Sequence, residues 1–280
     1  MDTGRRRRAV AFHPPVAANH SMKNLISIVS ALVLLGGAAT VQAAGADELT
    51  GFSETIRVGD QLFQALDEMK RKDVAPHPVA LETELKPYVR SGEFSHDGKS
   101  LKVVYISAGF MELIRNIAHA KAIDAVEPGY FQKYVTLLSG DKVAVPALPG
   151  ADDARFKAEG ILGKRQDYYG QMISMVMGIE LSHHYLGNYR KYSVKLADQP
   201  GNPTPLNSLI TKSEWEKAVD AGSDNALNAG YSTQGVRALY EAIVKMPTRP
   251  AWTTYFLPAT ANVERLTARL AKGEKKFFNE

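Results

Sequence analysis

Glu180, His183 and His184 are the side chains of this 280-residue chain whose types and spacing could support a reaction, and they lie within the apolar run 172–186. On a helix, Glu180 and His184 stand four residues apart on one face, and Glu180 and His183, three apart, also touch. Burying a carboxyl and two imidazoles without partners is costly, so something must compensate them. A metal ion is one candidate and the carboxylates of another helix are a second. A hydrogen-bonded structural pair is the plain alternative, and the more common fate of histidines near a helix end. Glu180 and His183 also form half of a di-iron carboxylate pair, but the other half is missing, because the four-residue window opened by Glu112 closes on Arg115.

The element that must position these groups is a helix over about 166–195, apolar enough in its middle to be central and surrounded by other helices. The spacing of Ile56, Leu62, Phe63, Leu66 and Met69 predicts a helix over 51–73, closed by the Pro-containing stretch 74–87. Residues 100–107, rich in β-branched types, read as a strand preceded by a turn at 96–99. A helix over 110–125 follows, with Phe110, Leu113, Ile114, Ile117 and Ala118 inward. The remaining helices are expected over 130–138, 211–228 with a cap at Thr211 or Ser213, 233–245 and 262–275. Residues 139–150 and 199–205 read as loops, and 250–258 as an aromatic loop. The fold class is therefore α+β, predominantly helical, with a small strand or hairpin.

Composition narrows the chemistry. The chain has no cysteine, which removes thiolate ligands, thiol nucleophiles and disulfides. Its formal charge of +4 comes wholly from Arg5, Arg6, Arg7, Arg8 and Lys23 against Asp2, so everything after Ala43 is neutral and no nucleic-acid partner is expected. Residues 1–21 read as an upstream extension, with Met22 an alternative start. Residues 22–43 read as a signal peptide: Lys23, the apolar run 25–39, then small residues that allow cleavage after Ala43 or Ala46. The apolar run is short for a membrane span. The expectation is an exported protein, periplasmic or extracellular, with a single domain over 44–280 and no stable span once the signal is removed. The sequence leaves the oligomeric state open.

No phosphate-cradling loop, nucleophile elbow or dinucleotide fingerprint is present. His119, between alanines, reads as a packed helix residue, and His77 and His96 as solvated. Trp215 and Trp252 read as core anchors. Tyr168, Tyr169, Tyr185, Tyr189 and Tyr192 form a stripe that is either core or the lining of a peptide groove.

Residues 178–184 (GIELSHH) resemble the HExxH helix of zinc metallopeptidases, with Ile179 in the place of the first histidine. Three further segments, in order, are similar to elements of the gluzincin peptidases related to the CAAX prenyl endopeptidase. These are the strand and turn at 103–110, the segment 214–220 followed by Ala229-Gly230-Tyr231, and Leu257-Pro258 with Glu264-Arg265-Leu266, in which the closing histidine is absent. The resemblance covers about 102–270, with an insertion at about 124–165. It implies a zincin-like helical domain and zinc as cofactor, with Glu180 as general base, His183 and Glu216 as metal ligands, and Asp220 as the residue that orients a ligand; a rearranged site would recruit His184 as the third ligand. It also implies that the site is altered or lost, since neither Ile179 nor Leu257 can play the family's part.

Three functions follow as expectations. The first is a metallopeptidase-like protein that acts by binding a peptide or protein. The second is an active metal-dependent hydrolase with a rearranged site. The third is a helical protein in which Glu180, His183, Glu216 and Asp220 are a buried structural network.

Overall fold

Strand β3 (Lys99–Ser107) is the middle of a three-stranded sheet. Strand β1 (Val79–Glu82) runs parallel to it and β2 (Val89–His96) antiparallel, so that Val104 faces both Val79 and Ser91. In this computed structural model the described residues are 50–279, apart from 73, 97, 141–144, 197–203 and 259–260; the side chains of Thr50 and His96 also lie outside the description. The upstream extension, the signal peptide and its cleavage sites lie outside the described residues, as does most of the loop 199–205. The described part belongs to one compact unit, Ala46–Glu280.

The sheet passes directly into helix α3 (Ala108–Ile123), and Ser107 makes the junction. Its hydroxyl caps the helix by accepting from the Phe110 N–H (3.0 Å), accepts from the Tyr88 N–H (2.9 Å) and donates to the Lys86 carbonyl (2.8 Å). Gly109 lets the first turn approach the preceding chain: a Cβ there would stand 1.9 Å from the Leu85 carbonyl oxygen. The five apolar residues expected to face inward on this helix are all buried.

Helix α5 (Glu159–Tyr185) is the centre of the fold, and every residue from Met172 to His184 is buried. A helix apolar on all sides requires neighbours on all sides. Here they are α1 (Thr50–Ala65), α3, α7 (Lys212–Asn228), α8 (Gln234–Lys245) and the sheet. The architecture is a predominantly helical α+β fold whose central helix is surrounded by others.

Several element boundaries differ from expectation, among them the start of the central helix, which lies at Glu159 and not at about 166. The first helix ends at Ala65 because Asp67 starts a new one, α2 (Glu68–Arg71), by accepting from the Lys70 N–H; Met69 is left 76% exposed. The central helix stops at Tyr185 because Gly187 is left-handed (φ +77°), and a separate short helix α6 (Asn188–Tyr192) follows. Strand β1 lies within the Pro-containing stretch 74–87, and β2 occupies 89–96, where no strand was expected; short half-buried strands carry little periodicity. Helix α4 (Tyr130–Leu137) lies where expected, and α9 (Val263–Asn279) ends four residues later than expected.

Candidate functional site

Glu180 projects from α5 to the edge strand β2. Its Oε2 accepts from the backbone N–H of Ser91 (2.7 Å) and from the Ser91 hydroxyl (2.7 Å), which also lies 2.8 Å from the Glu180 carbonyl oxygen. The residue is 3% exposed. Burial pushes its carboxyl up to about 7; the Ser91 hydrogen bonds and the charge of Arg90 hold it from going further.

His183 is fully buried, with Nδ1 3.0 Å from the side-chain amide of Asn188 on α6 and Nε2 without a hydrogen-bond partner among the described residues. Burial lowers its pKa to about 3, so the ring is neutral. His184 points elsewhere. Its Nε2 lies 2.9 Å from the Val103 carbonyl on β3, and its ring packs on Tyr189.

The side of α7 that meets α5 is set by small residues. Gly178 and Gly222 bring the two backbones together, since a Cβ on Gly222 would stand 2.6 Å from the Ile179 nitrogen. One turn further along α5, the Ser182 hydroxyl bridges the Ile179 carbonyl (2.6 Å) and the Ala218 carbonyl (3.1 Å). Trp215 and Val219, two turns and one turn before Gly222, are buried on this side. Glu216 and Asp220 are each one residue further round the helix and meet Arg269 of α9 instead, at 3.8 and 3.2 Å. Glu216 lines a cleft with Lys212, Trp215, Asn262, Arg265 and Arg269 that has room for about one water (20 Å³). The acidic residue of α7 whose charge reaches His183 is Glu214.

Glu214 closes the capping box of α7 with Thr211 and accepts from Lys191 (2.6 Å) and Tyr192 (3.0 Å) of α6, and these bonds hold its carboxyl down to about 2. Helix α6 is thus tied to α5 through Asn188 and to α7 through Glu214.

The structure therefore gives Glu180 and each expected ligand its own partner: Ser91 for Glu180, Asn188 for His183, Val103 for His184 and Arg269 for Glu216. Among the described residues no three His, Asp or Glu side chains gather where they could hold a metal ion. Ile179 and Leu257 are core residues, 5% and 3% exposed. Of the other marked residues, His119 is buried with Nε2 3.0 Å from the Phe156 carbonyl, His77 is exposed beside Asp60, and Trp215 and Trp252 are buried.

Sequence reasoning missed Ser91, Asn188 and Glu214. Ser91 sits 89 residues from Glu180, and the only trace of its role is a small polar residue in the half-buried segment 89–92. Glu214 opens the segment 214–220 and is the third residue after Thr211, but neither position told that it would meet Lys191 and Tyr192. No protein-family model, curated protein or solved structure matches this chain.

Proposed function

We propose that this is an exported, metallopeptidase-like protein without hydrolytic activity, which works by binding a peptide or protein, and that Glu180, His183 and His184 form a structural polar centre. The observation that carries this is the use made of the Glu180 carboxylate. A general base must present an oxygen to a water, whereas this Oε2 is engaged by two Ser91 donors and the residue is buried. The donor set does not fit zinc in this arrangement either. Three protein ligands are usual, and although His183 Nε2 is open, His184 Nε2 faces the Val103 carbonyl and Glu216 faces Arg269, so the expected three do not converge. What the centre does is bind helix α5 to the sheet and to α6.

One observation favours the second reading, an active hydrolase. A carboxyl pushed up to about 7 is poised for proton transfer, and His183 Nε2 is an unused nitrogen three residues away.

The two readings separate in one experiment. Protein purified from the exported fraction without chelators is analysed for metals and incubated with unfolded casein, beside Glu180→Gln. The binding reading expects no stoichiometric zinc or iron, no cleavage by either protein, and retention of the unfolded chain by both. About one metal per chain that disappears in His183→Ala, or cleavage that disappears in Glu180→Gln, would overturn it in favour of the hydrolase.

A further inference from the structure

Helix α9 outruns the core it packs on. Its buried residues are Val263, Leu266 and Leu270. Further along, Glu274 ties it sideways by accepting from Ser232 (2.5 Å), Thr233 (2.6 Å) and Arg237 (3.2 Å). Beyond Glu274 no described residue is buried, yet the helix ends on Phe277 and Phe278, which are 40% and 62% exposed with their rings edge to face 5.4 Å apart. Phe277 lies seven residues after Leu270, on the same stripe, so the apolar face continues past the last residue that buries it. Lys276 precedes Phe277, and Lys272 and Lys275 lie on the opposite face of the helix, all exposed.

We propose that this end of α9 is a membrane-surface anchor, in which Phe277 and Phe278 enter the headgroup–acyl boundary of an anionic bilayer while the three lysines meet lipid phosphates. The combination of aromatic rings and lysines on one helix is the chemistry such interfaces select. The size of the patch argues for lipid over protein. A specific protein interface buries about 800 Å² on each partner, more than two rings at a helix end supply. A bilayer takes up apolar side chains singly, and an anionic surface adds about fivefold in affinity for each lysine near it. Among the described residues no helix is long and apolar enough to cross a membrane, so the contact lies on the surface. The inference is independent of the Glu180 centre and holds whichever reading of that centre stands.

The test is sedimentation of the protein with phosphatidylcholine vesicles, with and without phosphatidylglycerol. Phe277→Ser/Phe278→Ser should weaken binding to the anionic vesicles by about tenfold or more. The protein is purified from the exported fraction, so that the apolar run 25–39 read as the signal does not mask the effect. Lys272→Gln/Lys275→Gln/Lys276→Gln should weaken binding to the anionic vesicles by up to about a hundredfold, and leave binding to the neutral ones unchanged. Both variants replace exposed residues, so their thermal unfolding should match that of the parent, which shows that the fold is intact. Equal binding by the parent and the serine variant would overturn the proposal. So would self-association in sedimentation equilibrium that the serine variant abolishes while vesicle binding persists, since a second copy would then be what covers the rings.

Discussion

Glu180 and His183 are one turn apart on α5, and burial moves their proton affinities in opposite senses: the carboxyl up to about 7, the imidazole down to about 3. Between about pH 4.5 and 7 the folded state holds the Glu180 proton more tightly than the unfolded chain does, so this group contributes stability that is lost as pH rises. Between about pH 3 and 6.5 the unfolded chain protonates the histidine and the folded state does not, so His183 contributes stability that grows as pH rises. The two oppose each other from about 4.5 to 6.5. Removing one should unmask the other, with a slope change of up to about 1.4 kcal/mol per pH unit. Urea unfolding of Glu180→Gln across this window should show stability rising with pH relative to the parent, and His183→Gln should show it falling. Two curves parallel to the parent's would show that neither proton is coupled to folding. At this scale the sequence told which residues need partners, because ionisable groups in an apolar run must be compensated. It could not tell that the partner of Glu180 is Ser91, because nothing local links positions 89 residues apart.

The crossing of α5 and α7 shows what one residue of helical phase decides. Each residue turns the helix by about 100°. Trp215 and Val219 therefore point into the bundle while Glu216 and Asp220 point to Arg269. The acidic pair was visible in the sequence at the correct i,i+4 spacing, but spacing fixes only that two residues share a face, not which neighbour the face meets. That choice is made by Gly178 and Gly222, the points at which backbone touches backbone. Gly222→Ala should destabilise the protein by about 1–3 kcal/mol, at the upper end because the new methyl meets main chain, which cannot yield as a side-chain tip can. Gly273→Ala, on the open side of α9 where a Cβ meets nothing, is the matched control and should be neutral or slightly stabilising. Urea midpoints for the two variants check this, and equal midpoints would show that the crossing has slack.

For the whole molecule, the reading of a metal-free centre has a thermal consequence. A ligand that binds only the folded state at a hundred times its Kd adds about 2.7 kcal/mol, several degrees in the melting temperature of a chain this size. Neither zinc nor a chelator should therefore move the melting temperature of the parent, as differential scanning calorimetry would show; a fall of several degrees with chelator would mean that a site exists. The helical α+β class, the central helix and the inward face of α3 could be read from the sequence, because hydrophobic period reports which side of an element must be buried. Capping chemistry narrowed the start of α7 to Thr211 or Ser213 for the same local reason, and the structure caps it with Thr211. The break at Asp67, the stop at Gly187 and the strands β1 and β2 were hidden, because single caps and short half-buried strands are settled by what packs against them. The partners of Glu180, His183, His184 and Glu216 were decided only in the tertiary structure. A sequence states the need of a buried polar group, but which donor or acceptor meets it depends on the rotation and close approach of whole elements.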